Sequence, residues 1–237
     1  AIAEEHGAEV YEHPWEGYAA QKNWALDTLP MEGDWVLIVD ADEVITPALR
    51  AQLEAVSQRP IEDVPESGFY LNRLFYFLDR PIRHCGYHPS WNLRFFKRGS
   101  GRYEERAVHE HLLIDGPVGW IRTPMEHRDR RGLETYIAKH NRYSTLEARE
   151  IVAGLHGDGH RLDASLTGNQ LQKRRWIKER LYARLPAKWL LRFLYMYVLR
   201  LGFLDGLTGF RFCLFISSYE LQIALKMIEF QREETAS

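Results

Sequence analysis

Three carboxylates close a strand-like run in Asp34-Trp35-Val36-Leu37-Ile38-Val39-Asp40-Ala41-Asp42-Glu43, and Asp40 and Asp42 place hard oxygen donors two residues apart. Such oxygens suit magnesium or manganese, ions that keep several waters and share the rest of their shell between one or two protein carboxylates and a substrate's phosphates. A Val-, Leu- and Ile-rich run bounded by polar residues reads as a strand buried on both faces, and ligands of open α/β sheets gather at the carboxyl ends of such strands. The rival reading is a solvated acidic turn before a helix, for which Thr46 is a good N-cap and Pro47 a good first residue. That rival explains Thr46 and Pro47 but gives no reason for acids directly after a buried strand.

Other groups could serve a metal-bound phosphate. In Val108-His109-Glu110-His111-Leu112 the His109-Glu110 pair stands between strand-like segments, and a carboxylate such as Glu110 can remove the proton of an attacking hydroxyl as a general base. The alternative is a strand with His109 and His111 on one face and a solvated Glu110 on the other. His127, in Pro124-Met125-Glu126-His127, is a candidate metal ligand arriving from a loop, since imidazole binds manganese alongside carboxylates; otherwise it is an ordinary surface or core histidine. Lys22, in Gln21-Lys22-Asn23, could meet a phosphate as a point charge, and Asn23 a sugar or base. Trp91 and Arg94 offer a stacking face and a basic donor for a sugar or anionic acceptor, with core packing the rival for Trp91.

The elements that must position these groups alternate. Ala1 to Gly7 reads as the end of a helix, Ala8 to Tyr11 as a strand, Tyr18 to Leu29 as a helix, Trp35 to Val39 as a strand, and Thr46 to about Val56 as a helix. This is the order of a mostly parallel α/β sheet with flanking helices. Gly68 to Asn72, Leu74 to Leu78, Trp91 to Lys97 and His111 to Ile114 are further strand-like runs, and Leu133 to about Val152 suits one long helix. Residues 154–159 read as a Gly- and His-rich hinge, which divides the chain into a domain over 1–152 and a helical region over 153–237.

The 237 residues, 45% of them hydrophobic, can bury one α/β domain with an appendage. A net charge of −2 gives no argument for nucleic acid, but ten Lys or Arg against two acids between Arg161 and Arg200 leave that segment at about +8. The two cysteines, Cys85 and Cys213, have no metal-ligand spacing and suggest neither a disulfide framework nor structural zinc, which fits a reducing cytosolic compartment. Two apolar stretches, Trp189 to Leu204 and Phe210 to Phe230, are broken or flanked by Arg192, Arg200, Asp205, Arg211 and Glu220, whereas a spanning helix needs roughly 18 or more mostly apolar residues. An amphipathic hairpin lying in a membrane interface is the expectation, with a buried hairpin or a homo-oligomer interface as the rival.

Taken together, Gly17 to Leu26, Trp35 to Glu43, Trp91 to Phe96 and Val108-His109-Glu110 resemble the inverting nucleotide-sugar glycosyltransferases of the GT-A fold, family two, and most of all those of lipopolysaccharide-core assembly. Lys139 to Ser144, Phe193 to Tyr197 and Gly202 to Gly206 resemble the helical tail of the same group. The resemblance implies a GT-A-like, Rossmann-like domain and transfer of one sugar from a nucleotide-diphosphate sugar to a lipid-linked or lipopolysaccharide-core glycan. Asp42, with Asp40 nearby, would hold Mg2+ or Mn2+ on the diphosphate, Glu110 would be the base, and His127 would complete the coordination. The tail would tie the enzyme to membrane-bound acceptors on the cytoplasmic face of the inner membrane. The family's first strand and its nucleotide-contacting acid are expected before Ala1. Gln172 to Trp176 matches the Gln-x-x-Arg-Trp pattern of processive polysaccharide synthases, but in a basic helical segment without their membrane spans.

Two other classes compete. A strand followed by Asp-x-Asp also marks metal-dependent phosphohydrolases, although the Gln-Lys-Asn helix and the His-Glu pair have no place there. A non-catalytic peripheral membrane protein would bind vesicles and turn over no donor.

Overall fold

A computed structural model describes residues 2–104, 111–155 and 187–236. Expectations for His109 and Glu110, for most of the 154–159 hinge, for the basic run from Arg161 and for Gln172 to Trp176 lie outside the described residues.

The architecture is mixed α/β. The principal sheet follows the order β1 (Trp35–Leu37), β5 (Ser90–Lys97), β3 (Gly68–Phe77), β8 (Val118–His127) and β2 (Glu43–Val44), with β4 (Arg80–Pro81) paired to β3, and β6 (Gly101–Tyr103) and β7 (Leu112–Ile114) form a separate pair. Helices α1 (Ile2–Glu5), α2 (Tyr18–Thr28) and α3 (Pro47–Ser57) precede β3; α4 (Leu133–Leu155), α5 (Lys188–Leu194) and α6 (Gly206–Ala236) follow β8.

The expected mostly parallel sheet is corrected to a mixed one. The β1–β5, β3–β4 and β6–β7 ladders are antiparallel. Strands β3 and β8 are neighbours, and Asn72 Nδ2 donating to the Arg122 carbonyl at 3.2 Å and Tyr76 OH to Glu126 at 2.8 Å keep the same 50-residue separation along them, the constant offset of strands that run the same way. Residues 8–11 form no strand, so the expected strand-helix-strand unit is not completed and β1 takes its described partner from β5 running the other way. The acidic strand is also shorter and less enclosed than expected: it ends at Leu37, it is terminal in the sheet order, Val36 is buried, and Val39 is 42% exposed.

Ten residues of β8 were not foreseen, because Gly119 and Pro124 punctuate them. The glycine has a packing cause: a Cβ there would lie 2.6 Å from the Phe69 ring. This strand also corrects the loop expected around His127, which ends β8.

Helix α3 forms as read, with the Thr46 hydroxyl accepting the Leu49 N–H at 3.2 Å and Pro47 opening the first turn. Its buried Leu49 and Leu53 sit one turn apart and pack with Val64, Phe69, Leu71, Phe95, Ile121 and Met125. The chain groups into two compact units, Ala1–Arg73 with Trp91–Met125, and Leu74–Ser90 with Glu126–Ser237. Helix α4 therefore groups with the C-terminal helices and with Leu74–Ser90.

In the second unit, Phe77, Ile82, Cys85, Met196, Phe212, Cys213 and Ile216 form the core, against which Tyr136 of α4 packs. Just before α4, Asp129 accepts the Arg131 Nε at 2.8 Å, its Nη2 at 2.6 Å and its backbone N–H at 3.2 Å. The hydrogen bonds from Arg131 hold the Asp129 carboxyl down at about 2. Because the folded value lies below the unfolded one, the resulting stability is present above about pH 4 and lost as pH falls through about 2. Arg131 is exposed and its charge is screened, so Asp129→Asn is expected to cost only about 1 kcal/mol in urea unfolding at pH 7, with the difference from wild type vanishing near pH 2.

Candidate functional site

The acidic turn lies in the first unit and is closed by its own atoms. The Asp40 N–H donates to Glu43 Oε2 at 2.8 Å, and the Glu43 N–H donates back to the Asp40 carbonyl at 2.9 Å. Upstream, the Ile38 N–H donates to the Arg94 carbonyl at 2.9 Å, so the chain leaves the sheet only after Ile38. Asp42 is half-buried on the same turn.

Cations from three elements converge there. Lys22 of α2 approaches Asp40 Oδ1 at 3.2 Å, while Arg94 of β5 meets Asp40 Oδ2 and, at 2.9 Å, Glu43 Oε1. Arg73 of β3 stands 3.8 Å from the same Glu43 oxygen. The Glu43 side chain is fully buried and that of Arg94 nearly so, at 8% exposed. Burial alone would raise the Asp40 carboxyl, but Arg94 and Lys22 outweigh it and hold the group below the ordinary carboxylate range. Burial likewise works against the Arg94 charge, and Glu43 with Asp40 more than restores it. Two carboxylates, Asp40 and Glu43, thus face three cations in this region.

Tyr103 joins the cluster, its ring lying 5.1 Å from the Lys22 ammonium. Its phenol is pushed above its ordinary value, chiefly by burial. Asn23, expected to meet a sugar or base, is committed elsewhere: its Nδ2 donates to the Tyr103 carbonyl at 2.9 Å and its Oδ1 accepts the Tyr103 N–H at 2.8 Å, both buried. The side chain copies a strand's pairing edge and fastens β6 to α2. Asn23→Ala strands both backbone groups, and a loss of about 2–3 kcal/mol in chemical unfolding is expected; a loss below about 0.5 kcal/mol would contradict this anchoring.

The other sequence candidates are placed as follows. Arg94, read as an acceptor-binding cation, directs its guanidinium at Asp40 and Glu43. Trp91 opens β5 with 37% of its surface exposed, so it presents a face to solvent. His127 belongs to the second unit, where its ring stacks 5.4 Å from Phe75. Among the described residues no group of three or more His, Cys, Asp or Glu side chains is placed to hold a metal. Sequence reasoning missed Arg73, Tyr103 and the burial of Glu43. Glu43 carries a faint signal, because it is the acid from which the chain re-enters a strand.

By donor type the turn fits a divalent ion, since Asp40 and Asp42 are hard oxygen ligands. Both Asp40 oxygens meet a cation, Lys22 on one and Arg94 on the other. A cleft of about 410 Å³ lies between α2 and β1, lined by Lys22, Leu26, Met31, Trp35 and Ile38 among others, and meets the turn's surroundings through Lys22.

This fold and site accompany a resemblance to glycosyltransferases. The chain is 35% identical over 145 residues, 60% of its length and 52% of the relative's, to the lipopolysaccharide core biosynthesis glycosyltransferase LpsC of Rhizobium meliloti (strain 1021). It is 42% identical over 160 residues to an uncharacterized glycosyltransferase of Rickettsia bellii (strain RML369-C), and 24% identical over 168 residues to another of Rickettsia felis, covering 64% of this chain in each case and 53% and 56% of those proteins. The chain thus spans about half the length of the curated relatives it matches. No family model matches it.

Proposed function

We propose that the protein transfers a single sugar from a nucleotide-diphosphate sugar to a lipid-linked or lipopolysaccharide-core glycan, with inversion at the anomeric carbon and with Mg2+ or Mn2+ as cofactor. The observation that carries this reading is the acidic turn whose Asp40 is clamped by Lys22 and Arg94, with Lys22 also lining an open cleft. Its relatives' names support the class of reaction.

The cleft beside Lys22 receives the donor, and Lys22 supplies a point charge for its diphosphate. Asp42, with Asp40 beside it, would hold the metal, and the chemistry the ion would supply there is neutralisation of charge on the departing diphosphate. Trp91 offers its exposed ring to a sugar of the acceptor. Glu110, a short way along the chain from Tyr103, takes the acceptor hydroxyl's proton as that oxygen bonds to the anomeric carbon. The bond from that carbon to the diphosphate breaks, and its electron pair leaves with the nucleoside diphosphate. Positioning and fixed charge supply most of the acceleration.

Release of nucleoside diphosphate from a panel of nucleotide sugars, with a lipid-linked glycan acceptor and Mn2+, tests this directly. Acceptor-dependent release is expected. Liberation of phosphate from a simple phosphomonoester, blocked by Asp40→Asn, would favour a phosphohydrolase instead.

The reading includes peripheral contact with the cytoplasmic face of the inner membrane. No described helix is long and apolar enough to cross a membrane. Yet Leu199 is 73%, Leu207 61% and Leu204 56% exposed, with Arg200 and Arg211 exposed among them, a mixture suited to an anionic lipid surface. Sedimentation with anionic vesicles is expected to carry the protein down and to fall several-fold with Leu199→Glu; a stable dimer that ignores vesicles would assign this face to a second copy.

A further inference from the structure

We infer that Glu43 is a positioning residue that sets both the shape of the Asp40–Asp42 turn and the cation facing it, so that donor and metal meet a preformed site; this rests on the proposed transferase function. Its two oxygens have separate tasks. Oε2 takes the Asp40 N–H at 2.8 Å and fixes the turn's backbone. Oε1 takes Arg94 Nη2 at 2.9 Å, with Arg73 at 3.8 Å behind it. The same Nη2 meets Asp40 Oδ2. One carboxylate therefore governs the main chain of Asp40 and the partner of its side chain.

Burial makes the arrangement rigid. The Glu43 side chain has no exposed surface and Arg94 is 8% exposed, so water cannot replace either partner if the other moves. An exposed acid at position 43 would leave Arg94 free to turn to solvent and the Asp40 N–H to bond with water. The neighbouring Val44 is 41% exposed, so burial is specific to the Glu43 side of this two-residue strand. Residues that hold metal ligands in orientation without touching the metal commonly govern affinity by about 10- to 100-fold.

Glu43→Gln separates the tasks. An amide offers one carbonyl oxygen and one NH2, so it can accept from Asp40 or from Arg94 but must point a donor at the other. Affinity for a nucleoside diphosphate with Mn2+, measured by calorimetry on folded protein, is expected to fall about 10- to 100-fold. A second variant, Glu43→Gln with Arg94→Gln, replaces the buried ion pair by two neutral amides. It is expected to recover thermal midpoint relative to Glu43→Gln while binding stays weak. Wild-type affinity in either folded variant, or recovery of affinity together with stability, would reduce Glu43 to a purely structural residue and overturn the inference. Absence of nucleotide binding by the wild type would instead sink the transferase reading on which the inference stands.

Discussion

Arg94→Met is expected to destabilise the protein by about 3–5 kcal/mol, because it removes the near cation of a fully buried carboxylate and leaves Glu43 with the Asp40 N–H and the more distant Arg73 at 3.8 Å. Methionine approximates the aliphatic stem, so the loss reports charge rather than a large cavity. The exposed Arg50–Glu54 pair on α3, at 2.7 Å, is the contrast. It is closer than Arg94–Glu43, yet exposed pairs one turn apart on a helix contribute only about 0.3–0.5 kcal/mol, because water already solvates both ions. Urea unfolding of Arg94→Met and Arg50→Met separates burial from distance. Comparable losses in the two variants would mean that the Glu43 environment is far wetter than its geometry shows. Adding Glu43→Gln to Arg94→Met should restore part of the loss, since the stranded charge is then gone.

Asp42→Ala is expected to reduce sugar transfer by about a thousandfold or more, and to cost less stability than loss of Glu43, whose side chain is fully buried. The asymmetry follows from position. Asp42 is half-buried on the turn, whereas Asp40 is tied by Lys22 and Arg94 and Glu43 is fully enclosed. On the proposed assignment, removing Asp42 deletes a metal oxygen, and Asp42 is less buried than Glu43. Asp40→Ala would lose both activity and stability and so could not separate the two roles. Measured transfer by Asp42→Ala within about tenfold of wild type would end the metal assignment; a large loss of stability would assign Asp42 to the scaffold.

The acidic turn and the α3 cap were legible because each rests on local chemistry: a strand-like run meeting acids, and a Thr-Pro pair opening a helix. Sheet direction was not legible, since a Val- and Leu-rich run buries equally well beside a parallel or an antiparallel neighbour. Ala8 to Tyr11 has the composition of a short strand, but Val10 and Tyr11 are 52% and 43% exposed and no described strand pairs with them. Strand β8 was hidden by Gly119, whose missing side chain makes room for Phe69, a contact 50 residues distant in sequence. The site shows the same division. Lys22, Asp40 and Asp42 could be chosen by residue type and local pattern, but Arg94 and Asn23 were assigned to ligands when their atoms serve Asp40, Glu43 and Tyr103. An acid beside two others reads as solvated in sequence, and only the convergence of β3 and β5 on Glu43 shows it as the buried member.

The most direct measurement is calorimetric titration of the protein with uridine, guanosine, cytidine and adenosine diphosphates in Mn2+, repeated with chelator and with Asp42→Ala. One nucleotide is expected to bind, with affinity lost both on chelation and in Asp42→Ala. Failure of every diphosphate to bind folded protein, or binding untouched by both chelator and Asp42→Ala, would contradict the metal-held nucleotide-sugar site.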